Sequence, residues 1–227
     1  ESSPPASPRR EAAPTHQLFL PEHYEKGYAY PLIVWLHGAG RDEEELWEVL
    51  PHLSPRNYVG VAPRGACPSD FGFGFTWCDS LECVASARKA VDEAIEFACR
   101  RSNIAPQRIF LAGRGKGGTM ALRLALAQPE RFAGVLSFGG GLPRRGQLLA
   151  NLKEARKLPI FLASGCESVA YPVRRLCDDL KLCHLAWLSL FVKQYYPCGD
   201  EMVQDMLDDA NEWIMQIVTG AAQRATS

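Results

Sequence analysis

Gly113-Arg114-Gly115-Lys116-Gly117-Gly118 is the stretch of this chain nearest to chemistry. It follows an apolar run, residues 109–112, sized for a buried strand. It precedes Met120, Leu124 and Ala127 at helical spacing, with Ala121 and Ala125 beside them. Strand, sharp turn and helix are the layout of a nucleophile elbow, G-x-S-x-G, which exposes a serine hydroxyl at the tip of a strained turn. Here the middle position is Gly115, and glycine has no side chain with which to attack. The turn still offers backbone N–H groups at a helix start, where partial positive charge favours an anion. Arg114 and Lys116 add two cations beside it.

The elements that must position this turn alternate along the chain. Residues 17–20 read as an edge strand. Residues 32–36 form a continuous apolar run ending at His37-Gly38-Ala39-Gly40, as strands buried on both faces do. Asp42 can cap a helix reaching about Leu53, with Leu46, Trp47 and Leu50 inward. Residues 59–62 are the next strand, closed by Pro63. Phe71, Phe73, Phe75 and Trp77 alternate, which predicts an extended segment with one apolar face, used for core packing or as a pocket wall. Val84, Ala87, Val91, Ile95 and Ala98 mark a long helix. Strands follow at residues 134–138, 159–163 and 190–192. Helices follow at 148–156 and 173–185. A last helix is set by Val203, Met206, Ala210, Trp213, Ile214 and Ile217. This alternation predicts an α/β fold, a mostly parallel sheet with helices on both faces. Functional groups in such sheets gather at the carboxyl ends of the strands.

Composition narrows the function. At 227 residues and 47% hydrophobic, the chain is sized for one domain with a sizeable core. We place that domain at residues 16–220, after a flexible Pro/Ser-rich leader, 1–15, and before a frayed tail, 221–227. A formal charge of −1 gives no field for nucleic acid or an anionic membrane. No apolar run reaches the roughly 18 residues of a membrane span, and the leader lacks the apolar stretch of a signal peptide. The eight cysteines make no C-x-x-C pair and no histidine cluster joins them, so no metal is expected. Cys99, Cys177 and Cys183 fall within helical patterns and read as small buried hydrophobes. The expectation is mostly free thiols in a reducing, cytoplasmic setting, with one or two disulfides as the alternative.

Several motifs, in order, point to one family. HGAG after the first buried strand, PQRIFLAG into the elbow, GGTMALRLAL after it, PERFAGVLSFGGGLP, and a YYP…GDE…WI close resemble the phospholipase/carboxylesterase family of α/β-hydrolases. Acyl-protein thioesterases belong to it. The resemblance spans about residues 18–218. It implies the α/β-hydrolase fold and, for the family, hydrolysis of carboxylic esters and thioesters by a Ser-Asp-His triad without a cofactor. Taken position by position, the family's serine falls on Gly115, its aspartate on Ser168 and its histidine on Asp200. The resemblance therefore implies a scaffold with all three catalytic positions replaced. A nucleophile needs a side-chain oxygen or sulfur beside a base. A carboxylate, with a reference pKa of roughly 3.9, is a weak base at neutral pH. The family's oxyanion hole uses backbone N–H groups, here those of Ala39 and Lys116, and these do not depend on side-chain identity.

Three readings stay open. One is a catalytically impaired hydrolase kept for binding, regulation or structure, with a small carboxylate, ester or acyl ligand, a protein partner or a second copy as its counterpart. Another is an active ester or thioester hydrolase with a different nucleophile, Cys166 or Cys198. The last is an interaction domain of a longer chain. His37, Gly38, Arg114, Trp77, Cys166 and Cys198 are the pocket candidates. Glu167, Asp200 and Glu201 read as capping acids or, alternatively, as ligands for a hard cation, and His184 as a surface residue.

Overall fold

A computed structural model describes residues 15–145 and 151–220. The leader, apart from Thr15, the tail, and the start of the helix expected at 148–156 lie outside the described residues. Seven strands form one sheet in the order β1-β3-β2-β6-β7-β8-β9. They are β1 (His16–Phe19), β2 (Tyr30–Leu36), β3 (Val59–Pro63), β6 (Ile104–Arg114), β7 (Gly134–Phe138), β8 (Ile160–Gly165) and β9 (Leu190–Tyr195). All neighbours are parallel except β1, which runs antiparallel along β3 at one edge. A short hairpin, β4 (Cys67–Pro68) and β5 (Phe75–Thr76), stands apart from the sheet. The helices are α1 (Glu45–Leu53), α2 (Leu81–Arg101), α3 (Lys116–Ala127), α4 (Leu152–Ala155), α5 (Val173–Ala186) and α6 (Gln204–Val218).

Strand β2 shows why the sheet is covered twice. Its side chains alternate faces. Leu32, Val34 and Leu36 enter one core with residues of α2 and α3, while Ile33 and Trp35 enter the other with residues of α1 and α6. All five are at most 1% exposed. Burying such a side chain stabilises the fold by about 1.5–3 kcal/mol each, so this strand is a firm base for the loop that follows it. The central strand β6 runs 11 residues, longer than the apolar run at 109–112 suggested, because its first residues also pair with β2.

Three local expectations change. Trp47 is half exposed: the buried stripe of α1 is Leu46, Val49, Leu50 and Leu53, and position 47 falls beside it. Residues 71–77 are not one extended segment. Gly72 (φ +79) and Gly74 (φ +64) turn the chain, so Phe71 and Phe73 are exposed, Phe71 as one wall of the cleft described below, and only residues 75–76 pair as a strand. Cys99 and Cys177 are exposed, each one step past the buried stripe of its helix; Cys183 is buried. The thiols are mostly free, as expected: Cys83, Cys99, Cys166, Cys177, Cys183 and Cys198 are unbridged, and Cys67 and Cys78 form one disulfide.

Candidate functional site

The loops after β2, β6, β8 and β9 meet at one edge of the sheet. At its centre Gly115 joins β6 to α3 with φ +52 and ψ −116. A side chain rarely adopts that backbone conformation, and glycine adopts it freely. Its N–H donates to the Phe138 carbonyl (2.8 Å) and its carbonyl accepts from Thr119 N–H (3.0 Å). The turn is thus held by β7 on one side and α3 on the other. A Cβ on Gly115 would meet nothing within 4 Å. The space that a nucleophile's side chain would occupy is open.

The loop after β2 faces this turn. It is held by a residue that motif reasoning passed over. Glu45, 2% exposed, accepts from Gly38 N–H (3.0 Å) and Trp35 Nε1–H (3.3 Å). Burial pushes its carboxyl above the usual carboxylate range, and the Gly38 N–H, Arg114 and Arg41 act against that rise. Its sequence signal was weak, because an acid in the first turn of a helix is usually a solvated cap. A second brace comes from β5: Gly40 N–H donates to the Phe75 carbonyl (2.9 Å), and Phe75 N–H to the Arg41 carbonyl (2.8 Å). His37 lies fully buried below the loop. Its Nε2 accepts from Gly65 N–H (2.9 Å), leaving Nδ1–H to donate to the Gly38 carbonyl (2.8 Å). Burial lowers its pKa. This histidine is neutral and spent on holding the backbone.

Between these loops lies a cleft of about 440 Å³, lined by Gly38, Ala39, Gly115 and Lys116 with Phe138 and Asp200. Arg114 also lines it, and its guanidinium donates to the Asp200 carbonyl (3.2 Å). Neither the Ala39 N–H nor the Lys116 N–H donates to another described residue. Both belong to residues that wall the cleft, and the second stands at the first position of α3. Trp77 and Lys116 line a neighbouring cavity of about 210 Å³ with Cys78, Thr119 and Arg175. The Trp77 indole is buried and fixed by donating to the His37 carbonyl (3.0 Å).

The loops after β8 and β9 touch through Ser168 and Asp200. Ser168 Oγ–H donates to Asp200 Oδ1 at 2.5 Å, and Ala170 N–H to the same oxygen at 3.1 Å. The Ser168 hydroxyl is the main cause that holds the Asp200 carboxyl below its ordinary value. A carboxylate stabilised in this way gives up little when it stays ionised, so it is a poor proton acceptor.

The two candidate thiols sit elsewhere. Cys198 is 2% exposed with its sulfur toward the Glu201 carbonyl (3.6 Å). Burial, with Glu201 nearby, pushes its thiol up, away from the reactive thiolate. Cys166 is half-buried at the end of β8, and neither thiol walls the cleft. Glu167, Asp200 and Glu201 do not gather: Glu201 accepts from Gly199 N–H (3.0 Å), and the three form no ligand cluster among the described residues. His184 is exposed on α5.

Comparison with known proteins places this geometry. The phospholipase/carboxylesterase family model matches residues 24–218. A protein of Oryza sativa subsp. japonica named probable carboxylesterase is 29% identical over 205 residues, covering 82% of this chain and 87% of its own length. The Bacillus cereus carboxylesterase structure superposes with a TM-score of 0.71 at 19% identity, over 89% of this chain and 93% of that one. Acyl-protein thioesterase 2 of Zea mays gives 0.69 at 16% identity, over 89% and 98%. At such identities the two structures speak for the fold. With the match across residues 24–218, the chain belongs to the phospholipase/carboxylesterase family of α/β-hydrolases.

Proposed function

We propose that this chain keeps the family's acyl-binding cleft as a binding site and does not hydrolyse esters by the family's serine route. The observation that carries this reading is Gly115. The turn has the strained geometry of an elbow, with open space above it and no side chain to use that space. Asp200, tied to Ser168, is a stabilised carboxylate and not a base near neutral pH. The N–H groups of Ala39 and Lys116 favour an oxyanion or a carboxylate, so a small acyl or carboxylate-bearing molecule is the ligand class the cleft suits. Bound without turnover, it would make the protein a carrier, sensor or regulator.

Two measurements test this. The pure protein should not be labelled by a serine-directed fluorophosphonate, and it should turn over short-chain nitrophenyl esters no faster than its Gly115→Ala variant. Short-chain carboxylates should raise its melting temperature; saturation at 100 times Kd stabilises a fold by about 2.7 kcal/mol. Ester turnover abolished by Cys166→Ala or Cys198→Ala would overturn the reading in favour of a thiol nucleophile. The contact between Ser168 and Asp200 adds a positive arm. The combined change Gly115→Ser, Ser168→Asp and Asp200→His puts an acid and a base at two positions that already touch, and it should create fluorophosphonate labelling absent from the parent.

A further inference from the structure

Cys67, Cys78 and Cys83 follow no metal-binding spacing, yet the fold brings their sulfurs to one point. Cys83 Sγ lies 2.9 Å from both Cys67 Sγ and Cys78 Sγ, the two that are bridged. A bridge is complete with two sulfurs, so the third is unexplained by it. We propose that the reduced trio is a three-thiolate site for one soft monovalent cation, and that copper(I) is the ion its donors select.

The donor set decides the ion. The three Sγ atoms lie within 4.8 Å of one another, and no imidazole or carboxylate joins them among the described residues. Hard cations want oxygen ligands. Structural zinc wants four protein ligands, and no fourth joins the trio among the described residues. Copper(I) favours soft thiolates and is content with three. Each ligand is held from a different element. Cys67 is paired with Thr76 across the β4–β5 hairpin. Cys78 follows the pinned Trp77. Cys83 stands in the first turn of α2, its N–H donating to Ser80 Oγ (3.2 Å), where the helix start favours negative charge. The trio is half-buried, and Cys78 lines the 210 Å³ cavity along with Lys116 and Arg175. That cavity gives the ion an access route and the thiolates two nearby cations.

Bridge and ion exclude each other. An added dithiol reduces the Cys67–Cys78 bond by two electrons, becoming a disulfide itself and leaving two protein thiols. Three thiols then release their protons to solvent as the ion binds.

The test uses the whole chain, reduced and anaerobic, with Cys99, Cys166 and Cys177 changed to Ser to silence the accessible thiols. In competition with a coloured copper(I) chelator it should take up one copper(I). Cys83→Ser should weaken that uptake by about 100-fold, since even outer-shell changes cost 10–100-fold. Zinc should bind more weakly, and bridged protein should bind neither. Equal uptake by Cys83→Ser, equal uptake by the bridged form, or tighter zinc binding would each overturn the proposal. A readout without any substitution at the trio guards against misfolding. In the parent chain copper(I) should protect Cys67, Cys78 and Cys83 from alkylation. All three fall in one tryptic peptide, residues 65–88, which is weighed directly. Full alkylation in the presence of copper(I) would sink the idea.

Discussion

Gly115→Ala is the cleanest perturbation this structure offers. The added Cβ meets nothing within 4 Å, so no atom must move to admit it. What remains is backbone strain, because φ stays near +52. A non-glycine residue held in such a region costs about 1–3 kcal/mol. Losing glycine's freedom in the unfolded chain returns about 0.4–1 kcal/mol. The net loss is then at most about 2.6 kcal/mol. In a domain of this size each kcal/mol moves the melting temperature by about 2–4 °C, so the drop should be at most about 10 °C. Gly113→Ala, two residues earlier, is the contrast. Its Cβ would lie 2.6 Å from the Gly117 carbonyl carbon and 2.7 Å from the Leu36 carbonyl oxygen. These are backbone atoms of α3 and β2, which have no rotamer to yield. Overpacking of this kind belongs to the damaging tail of substitutions, above about 4 kcal/mol. Denaturant titration of both variants at neutral pH is the assay. The reasoning fails if the two cost the same, or if Gly115→Ala is the worse of the pair.

Three further predictions rest on the site's buried and bonded groups. Glu45 has a raised carboxyl pKa, so its folded form holds a proton more tightly than the unfolded chain does at roughly 4.3; stability is lost as pH rises from there through the folded value. Glu45→Gln, which keeps an acceptor for Gly38, should therefore gain on the parent as pH rises above that unfolded value, and a pH-independent difference would refute this. His37 has the opposite history: its lowered pKa means stability is full above the unfolded value of roughly 6.5 and falls as pH drops through it toward the folded value. Melting curves of His37→Gln should be flatter over that window, and an unchanged slope would show that another group is responsible. Ser168→Ala removes the hydroxyl that chiefly lowers Asp200, so a carboxyl NMR titration should find Asp200 shifted upward toward the ordinary aspartate value.

The layered sheet was legible because its strands are buried on both faces and read as apolar runs, residues 32–36 above all. The elbow was legible because a turn that needs glycine conformations advertises itself. What misled was alternation without hydrogen bonding. Phe71, Phe73, Phe75 and Trp77 have the period of a strand, but Gly72 and Gly74 turn the backbone between them. Helix stripes were read one residue too wide at Trp47, Cys99 and Cys177, because a step of one residue turns 100° about the axis and carries a side chain off the buried face. Contacts between distant segments were not legible at all. Nothing in the spacing of Cys67, Cys78 and Cys83, or of Gly38 and Glu45, says that they meet; only the closure of the sheet and its loops does.

The amides of Ala39 and Lys116 are written into the main chain, so ordinary mutation passes over them. Nineteen of the twenty amino acids supply the same N–H at each place, and proline alone withholds it. Proline suits the first position of a helix, so Lys116→Pro would remove one of the two proposed amide donors while leaving α3 standing. Side-chain chemistry can drift away within a lineage one residue at a time; a cradle made of peptide bonds outlasts it.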